Sequence, residues 1–121
     1  MINCLAVGFG GFLGSVCRYL IGLLPLGSSG GFPYKTLLIN VVGALALGFL
    51  SVWATKLPSV PASIVLMLKV GICGGFTTFS TFALESSALF GGGKPGQAVL
   101  YIAASLCLGI AAVFAGQRLA S

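Results

Sequence analysis

Charged residues are nearly missing from this sequence of 121 residues. They make up 6% of it, against 58% hydrophobic residues, whereas a soluble domain carries about 25% charged residues. A surface with so little charge could not stay dispersed in water, and a disordered chain needs low hydrophobicity and high charge. Both classes are therefore excluded, and the composition predicts one integral membrane domain that comprises residues 1–121.

Histidine is absent, and Glu85 is the only acidic residue. General acid–base catalysis and zinc binding depend mostly on imidazoles and carboxylates, so the inventory argues against an enzyme. The six basic residues give a net charge of +5, but they are scattered and form no basic patch for a nucleic acid. The four cysteines lie in apolar stretches without metal-site spacing, and we expect them to be reduced packing residues.

Long apolar stretches dominate the sequence, and about 20 such residues suffice to span a bilayer. There are four of these stretches, separated by segments rich in Gly, Ser or Pro, which favour loops and turns. We therefore predict an all-α integral membrane fold with four transmembrane helices per subunit, located in the inner or plasma membrane of the cell. The predicted spans are 2–24, 36–55, 62–90 and 96–117.

The third span contains a stretch that is poorly suited to a continuous helix. Three glycines are followed by four hydroxyl residues within five positions, and hydroxyl side chains favour helix N-caps. We predict that one helix ends near Gly74 or Gly75 and that another starts near Thr78, with the break at 74–78. Broken backbone at membrane depth is tolerated only inside protein or beside a water-filled cavity, and such breaks commonly bind ions. The alternative is a packing kink with the hydroxyls bonded back to the helix.

Polar groups inside the spans are concentrated in one leaflet. We call the side that holds the N-terminus side A and the opposite side B, and we estimate depth from the rise of a helix per residue. The A half offers few polar groups beyond Ser51 and Lys69, and Lys69 can extend to its interface. The polar groups in the B half are Arg18, Asn40, Ser80, Thr81, Glu85, Tyr101 and Ser105. One subunit therefore contains half of a polar pathway.

Basic residues in the loops and at the chain ends are balanced between the two sides. Lys56 and Arg118 lie on side A, and Lys35 and Lys94 lie on side B. The positive-inside rule then has no bias on which to act. A second subunit in the opposite orientation would supply the missing half of the pathway. Both observations favour an antiparallel, dual-topology homodimer, and a chance balance of small counts is the alternative.

The pathway consists mostly of hydrogen-bond donors. Phe76, Phe79 and Phe82 recur every three residues through the break, and the edge of an aromatic ring is electropositive. Donors and ring edges together favour a small anion over a cation. Ordinary packing in the membrane is the alternative explanation for the three rings.

The run GGFTTFSTF at 74–82, followed by Glu85, resembles the signature of the Fluc (CrcB) fluoride channels. The resemblance implies a passive channel that exports fluoride from the cytoplasm and so confers fluoride resistance. It also implies a dual-topology homodimer of four-span subunits with two pores. The other matches are Gly10, Gly11, Gly14, Arg18 and Tyr19 in the first span, residues 36–43 in the second, and Tyr101 and Ser105 in the fourth.

This resemblance implies roles for individual residues. Phe79 and Phe82 would contact the anion with their ring edges. Arg18 would lie in an aqueous vestibule, and Glu85 would lie near the end of the polar track. The residues that would line this track are Asn40, Ser80, Thr81, Tyr101 and Ser105.

A structural sodium ion is also implied by the resemblance. It would lie on the dimer axis, bound by the backbone carbonyls of Gly74 and Thr77. Two carbonyls from each subunit would give four hard oxygen ligands to a hard cation.

Two other functions are compatible with four spans. A small multidrug-resistance-type transporter is also small and sometimes dual-topology, but it should carry an acidic residue in the centre of its first span. The first span of this sequence holds Arg18 and no carboxylate, and Glu85 lies off-centre in the third span. A structural membrane protein without transport is the second alternative, although such a protein has no use for donors concentrated in one leaflet. Fluoride efflux from liposomes, with chloride as control, distinguishes these functions.

Overall fold

The structure is a computed structural model that describes residues 1–27 and 30–121, and within these ranges it contains helices and no strand. Four helical stretches are long and apolar enough to cross a membrane, which confirms the predicted all-α four-span fold. The third stretch is made of several pieces. In chain order the elements are α1 (Ile2–Leu23), α2 (Tyr34–Lys56), α3 (Ala62–Leu66), a π-helical segment (Met67–Cys73), α4 (Gly74–Phe76), α5 (Phe79–Gly91) and α6 (Pro95–Ala120).

Prolines set several of the helix ends. The residue before a proline is disfavoured in the helical conformation, and α1 is accordingly followed by extended Leu24 and then Pro25. In the same way α2 ends before Leu57, which is non-helical and precedes Pro58. Pro95 begins α6 in its first turn, where the missing N–H is not needed.

Helix α2 packs most extensively against α6. Small residues allow the two backbones to approach closely, as expected of membrane helices. A Cβ added at Gly48 would overlap the carbonyl of Val113, and one added at Gly116 would overlap the carbonyl of Leu45. Gly109, which lies about two helical turns before Gly116 on α6, has open space around it.

The second extensive contact joins α1 to the π segment and α4. Here Gly10 lies against Gly71, and a Cβ at Gly71 would come within 2.8 Å of the Gly10 Cα. Gly14 lies against the carbonyl of Ile72 in the same manner. The π segment is a structural finding that the sequence did not predict, and π-helical turns within helices occur frequently at functional sites.

The predicted break in the third span is present at Thr77 and Thr78. Both residues are extended, with φ −78° and ψ 159° at Thr77 and φ −151° and ψ 112° at Thr78. The first piece continues to Phe76, one or two residues beyond the predicted end. The second piece begins at Phe79 with Thr78 as its N-cap, as predicted.

Little of the chain is buried within the single subunit. Tyr101 and Ala98 are fully enclosed, in a small cluster with Leu89. In the most apolar window of each long helix only 11–17% of the residues are buried. Most of the helical surface is therefore available to lipid or to a partner chain.

Candidate functional site

The two threonines of the break use their hydroxyl groups differently. Thr78 Oγ1 accepts a hydrogen bond from the N–H of Thr81 at 3.2 Å and donates to Thr81 Oγ1 at 3.0 Å, so it caps α5. Thr77 Oγ1 instead donates to the carbonyl of Cys73 at 2.8 Å. The back-bonding expected of a kink is therefore present at Thr77, while the backbone still leaves the helix as expected of a break.

Asn40 connects α2 to the break. Its Oδ1 accepts a hydrogen bond from the N–H of Thr78 at 2.8 Å, and its Nδ2 donates to the Thr78 carbonyl at 3.2 Å. The two bonds satisfy backbone groups that have left the regular helical pattern.

This hydrogen bonding diverts two backbone donors. In a continuous α-helix the N–H of Thr78 would bond to the carbonyl of Gly74, and the N–H of Thr81 would bond to the carbonyl of Thr77. Here the first donates to Asn40 and the second to Thr78 Oγ1. The carbonyls of Gly74 and Thr77 are thus left without these donors. Free carbonyls at a broken membrane helix are suitable ligands for sodium. The carbonyl oxygens of Gly74 and Thr77 therefore fit the implied ion.

A cavity of about 370 Å³ lies beside the break, and we call it the break cavity. It lies between α2, the broken third span and α6. Ser105 contributes a hydroxyl oxygen that is enclosed and has no hydrogen-bond partner within the part of the chain that the structure describes. The predicted site residues that line this cavity are Asn40, Gly74, Thr77, Phe79, Phe82 and Ser105.

A second cavity, of about 430 Å³, lies on the other side of the break, and we call it the basic cavity. Arg18, Thr81 and Glu85 line it, as does Lys35, which the sequence had assigned only to a loop. Thr78 lines both cavities. Thr78 therefore lies between a cavity lined by Phe79 and Phe82 and a cavity lined by Arg18 and Lys35.

Four aromatic rings follow one another from the break cavity into the protein. The ring centroids of Phe79 and Phe82 are 5.7 Å apart, and those of Phe82 and Tyr101 are 5.2 Å apart. Phe32 packs edge-on against Tyr101 at 5.6 Å. Phe79 is 78% exposed in the single chain, whereas Tyr101 is fully buried.

Glu85 is held by two hydroxyl groups. Thr36 Oγ1 donates to Oε1 and Tyr101 Oη donates to Oε2, each at 2.8 Å. Sequence reasoning assigned no role to Thr36, although it precedes Asn40 by one helical turn and so shares its face. This spacing was the signal in the sequence that could have identified Thr36 as a site residue.

Two of the predicted track residues lie outside both cavities. Ser80 is exposed on the single chain, and its hydroxyl lies 3.5 Å from Thr78 Oγ1. Tyr101 is enclosed, and its hydroxyl contacts Glu85. The structure therefore brings most of the predicted site residues together at the break and leaves Ser80 on the outer surface of α5.

Comparison with known proteins connects this arrangement to one family. A family model described as "CrcB-like protein, Camphor Resistance (CrcB)" matches residues 5–117. A fluoride-specific ion channel FluC of Chlorobaculum tepidum is 44% identical over 120 residues, covering 99% of this chain and 95% of the relative. A protein of the same name from a Methylobacterium species is 45% identical over 113 residues, covering 93% and 91%. Another from Agrobacterium fabrum is 43% identical over 120 residues, covering 98% and 96%.

Proposed function

The chain belongs to the CrcB family, and from this premise we propose that it is a fluoride-specific ion channel that lets fluoride leave the cytoplasm passively. It is a multi-pass protein of the cell membrane, and as a member of a channel family it is not an enzyme. In this role the protein confers resistance to fluoride.

The observation that carries this function is the position of Thr78 between the two cavities. Arg18 gives the basic cavity a positive charge that attracts an anion. The hydroxyl of Thr81 accepts from Thr78, so its own proton remains available to fluoride. Beyond the break, the electropositive ring edges of Phe79 and Phe82 contact the ion and attract it more weakly than a cation in contact with it would.

The free donors of the track follow from the hydrogen bonds. Tyr101 donates its hydroxyl proton to Glu85, whereas the enclosed hydroxyl of Ser105 faces the break cavity. Fluoride is small and strongly hydrated, so a narrow path with such donors can replace its hydration shell where chloride fits poorly.

Efflux from liposomes tests the function directly. Purified protein is reconstituted in vesicles loaded with potassium fluoride or potassium chloride, and efflux is started with a potassium ionophore. We expect rapid fluoride efflux, with chloride efflux at the level of protein-free vesicles. Comparable efflux of both ions would exclude a fluoride-specific channel.

We further propose that the working unit is an antiparallel homodimer with two pores. Gly74 is exposed on the single chain although it adjoins broken backbone, and such backbone is not tolerated against lipid. Phe79 is similarly open. A second copy in the opposite orientation covers this surface and completes each pathway with its own polar half, and the balanced basic residues permit both insertions.

Orientation is tested with cysteine labelling. After the four native cysteines are replaced, Ser59→Cys is introduced in the side A loop and treated with an impermeant maleimide. We expect about half of the chains to be labelled in sealed vesicles and all of them after permeabilisation. Gly91→Cys on side B is the matched control and should give the same fraction. Labelling of every chain from one side would contradict dual topology.

A sodium ion at the dimer centre is the third part of the proposal. The carbonyls of Gly74 and Thr77, freed by the diverted donors, would bind it from both subunits and reduce the repulsion between converging dipoles. Replacing sodium with N-methyl-D-glucamine should slow fluoride flux, and returning sodium should restore it. Undiminished flux after prolonged, verified removal of sodium would show that the break binds no such ion.

A further inference from the structure

The break cavity is elongated along the membrane normal. Its lining extends on α2 from Asn40 to Leu47 and on α6 from Ser105 to Val113, which corresponds to roughly 10 Å of helix. Both helices run from side B to side A, whereas the third span runs in the opposite direction. Lys69, the first residue of the third span in the lining, therefore lies with Leu47 and Val113 at the side A end of the cavity.

Among the residues that the structure describes, Lys69 is the one cationic side chain in the lining of this cavity. It is half-buried and lies in the π segment, four residues before Cys73 on the lining face. The sequence alone suggests that its ammonium group can extend to the side A interface, and the structure includes the residue in the cavity wall at that end. Leu47 and Val113, which line the same end of the cavity, have apolar side chains that offer no hydrogen-bond acceptor.

The chain has no spare carboxylate side chain to neutralise this charge. Glu85 is the only acidic residue, both of its oxygens accept hydrogen bonds from Thr36 and Tyr101, and it lines the basic cavity instead. In a homodimer the second copy brings the same single carboxylate. A charge within the membrane that lacks a protein partner is costly and typically marks an ion pathway. With no carboxylate side chain left to neutralise it, the Lys69 ammonium group can take a mobile anion as its counter-ion.

We propose that Lys69 is an anion-binding residue of the pathway, whose ammonium group attracts fluoride to the side A end of the break cavity. The inference rests on the channel function proposed above. In the antiparallel dimer one Lys69 faces each side of the membrane, so each pathway has a cation at its apolar end as well as Arg18 in its basic cavity. The ammonium group is a compact point charge, so it attracts the anion through its charge alone, and conduction requires that this binding be weak enough to permit release.

The test compares Lys69→Gln with Lys69→Arg and with Lys56→Gln in the liposome efflux assay. Lys56 lies on the same side of the membrane but is exposed at the end of α2 and does not line the cavity. At low ionic strength we expect fluoride efflux through Lys69→Gln to fall by about tenfold, with much of the difference lost at high concentrations of an impermeant salt. Lys69→Arg and Lys56→Gln should retain the wild-type rate.

The outcomes separate this inference from the function on which it rests. Wild-type protein that passes no fluoride would refute the channel itself. A conducting wild type with an equally fast Lys69→Gln would leave the channel in place and overturn the role of Lys69. Equal losses in Lys69→Gln and Lys69→Arg at every salt concentration would also overturn it, because a packing defect and not a charge would explain them. If Lys69→Gln fails to elute as a folded dimer, Lys69→Met removes the same charge and is judged by the same criteria.

Discussion

The side-chain amide of Asn40 makes two hydrogen bonds to the backbone of Thr78: its oxygen accepts from the N–H at 2.8 Å, and its nitrogen donates to the carbonyl at 3.2 Å. The amide thereby replaces two backbone partners that a continuous helix would have supplied. It fixes the break relative to α2, and it frees the Gly74 carbonyl by occupying the N–H that would otherwise reach it. One side chain thus connects the packing of the bundle to the proposed ion-binding chemistry.

Substitutions at Asn40 should separate the effect of a charge at this position from the effect of the lost hydrogen bonds. Asn40→Asp retains an acceptor for the N–H of Thr78 but sets a carboxylate beside the Thr78 carbonyl and in the wall of an anion pathway. We expect Asn40→Asp to lose more fluoride flux than Asn40→Ser, because an ionised carboxylate repels the anion whereas a hydroxyl still donates. Each variant should also lower the free energy of unfolding by about 1–3 kcal/mol through unsatisfied groups at the break. Equal fluoride flux in the two variants, measured by liposome efflux, would remove Asn40 from the pathway.

The break in the third span could be predicted from the sequence, but the hydrogen bonds that connect it to Asn40 could not. Glycines followed by hydroxyl residues are unfavourable within a helix, and Thr78 is a favourable N-cap whatever surrounds it. These are local preferences of the chain. The pairing of Asn40 with Thr78 joins residues 38 positions apart, and it depends on how α2 packs against the third span.

The aromatic pair provides a second test. Phe79→Ala and Phe82→Ala should each reduce fluoride flux roughly tenfold, equivalent to about 1.4 kcal/mol in the barrier, because the ring edges that contact the ion are removed. Phe114→Ala is the matched control, since Phe114 is a 64% exposed ring on α6 that does not line the break cavity. Efflux and gel filtration are measured on the same preparations. Wild-type flux in both test variants would mean that the rings serve packing alone.

The hydrogen bonds of Glu85 should contribute to stability. Tyr101→Phe and Thr36→Val each remove one donor from the carboxylate, and each should lower the free energy of unfolding in detergent by about 1–3 kcal/mol. The double variant should depart from additivity, because both donors share one carboxylate. Tyr34→Phe, which alters a half-exposed tyrosine, should be nearly neutral. Negligible changes in the free energy of unfolding in both single variants and in the double variant would show that Glu85 is equally stable without the two hydroxyl donors.

The π segment illustrates what local sequence does not reveal. Residues 67–73 contain ordinary membrane-helix residues, and their wider turn accompanies a close backbone contact with α1 at Gly10 and Gly14. Gly10 and Gly14 have the GxxxG spacing, which predicts close packing but not the partner. Both the partner and the resulting position of Lys69 follow from tertiary structure.

Two adjacent glycines of α1 allow this contact to be tested with little ambiguity. A Cβ added at Gly10 would overlap the carbonyl of Met67 and lie 3.0 Å from the Gly71 Cα, whereas one added at Gly11 meets nothing within 4 Å. Gly10→Ala should therefore lower the free energy of unfolding by about 1–3 kcal/mol, because backbone cannot move aside as a flexible side chain can. Gly11→Ala gains the same helix propensity without the overlap, so it should be neutral or stabilising by up to about 1 kcal/mol. Thermal unfolding of the two variants in the same detergent checks the difference. Equal melting temperatures would mean that α1 does not lie on the π segment as described, and they would also weaken the inference for Lys69, whose position depends on that segment.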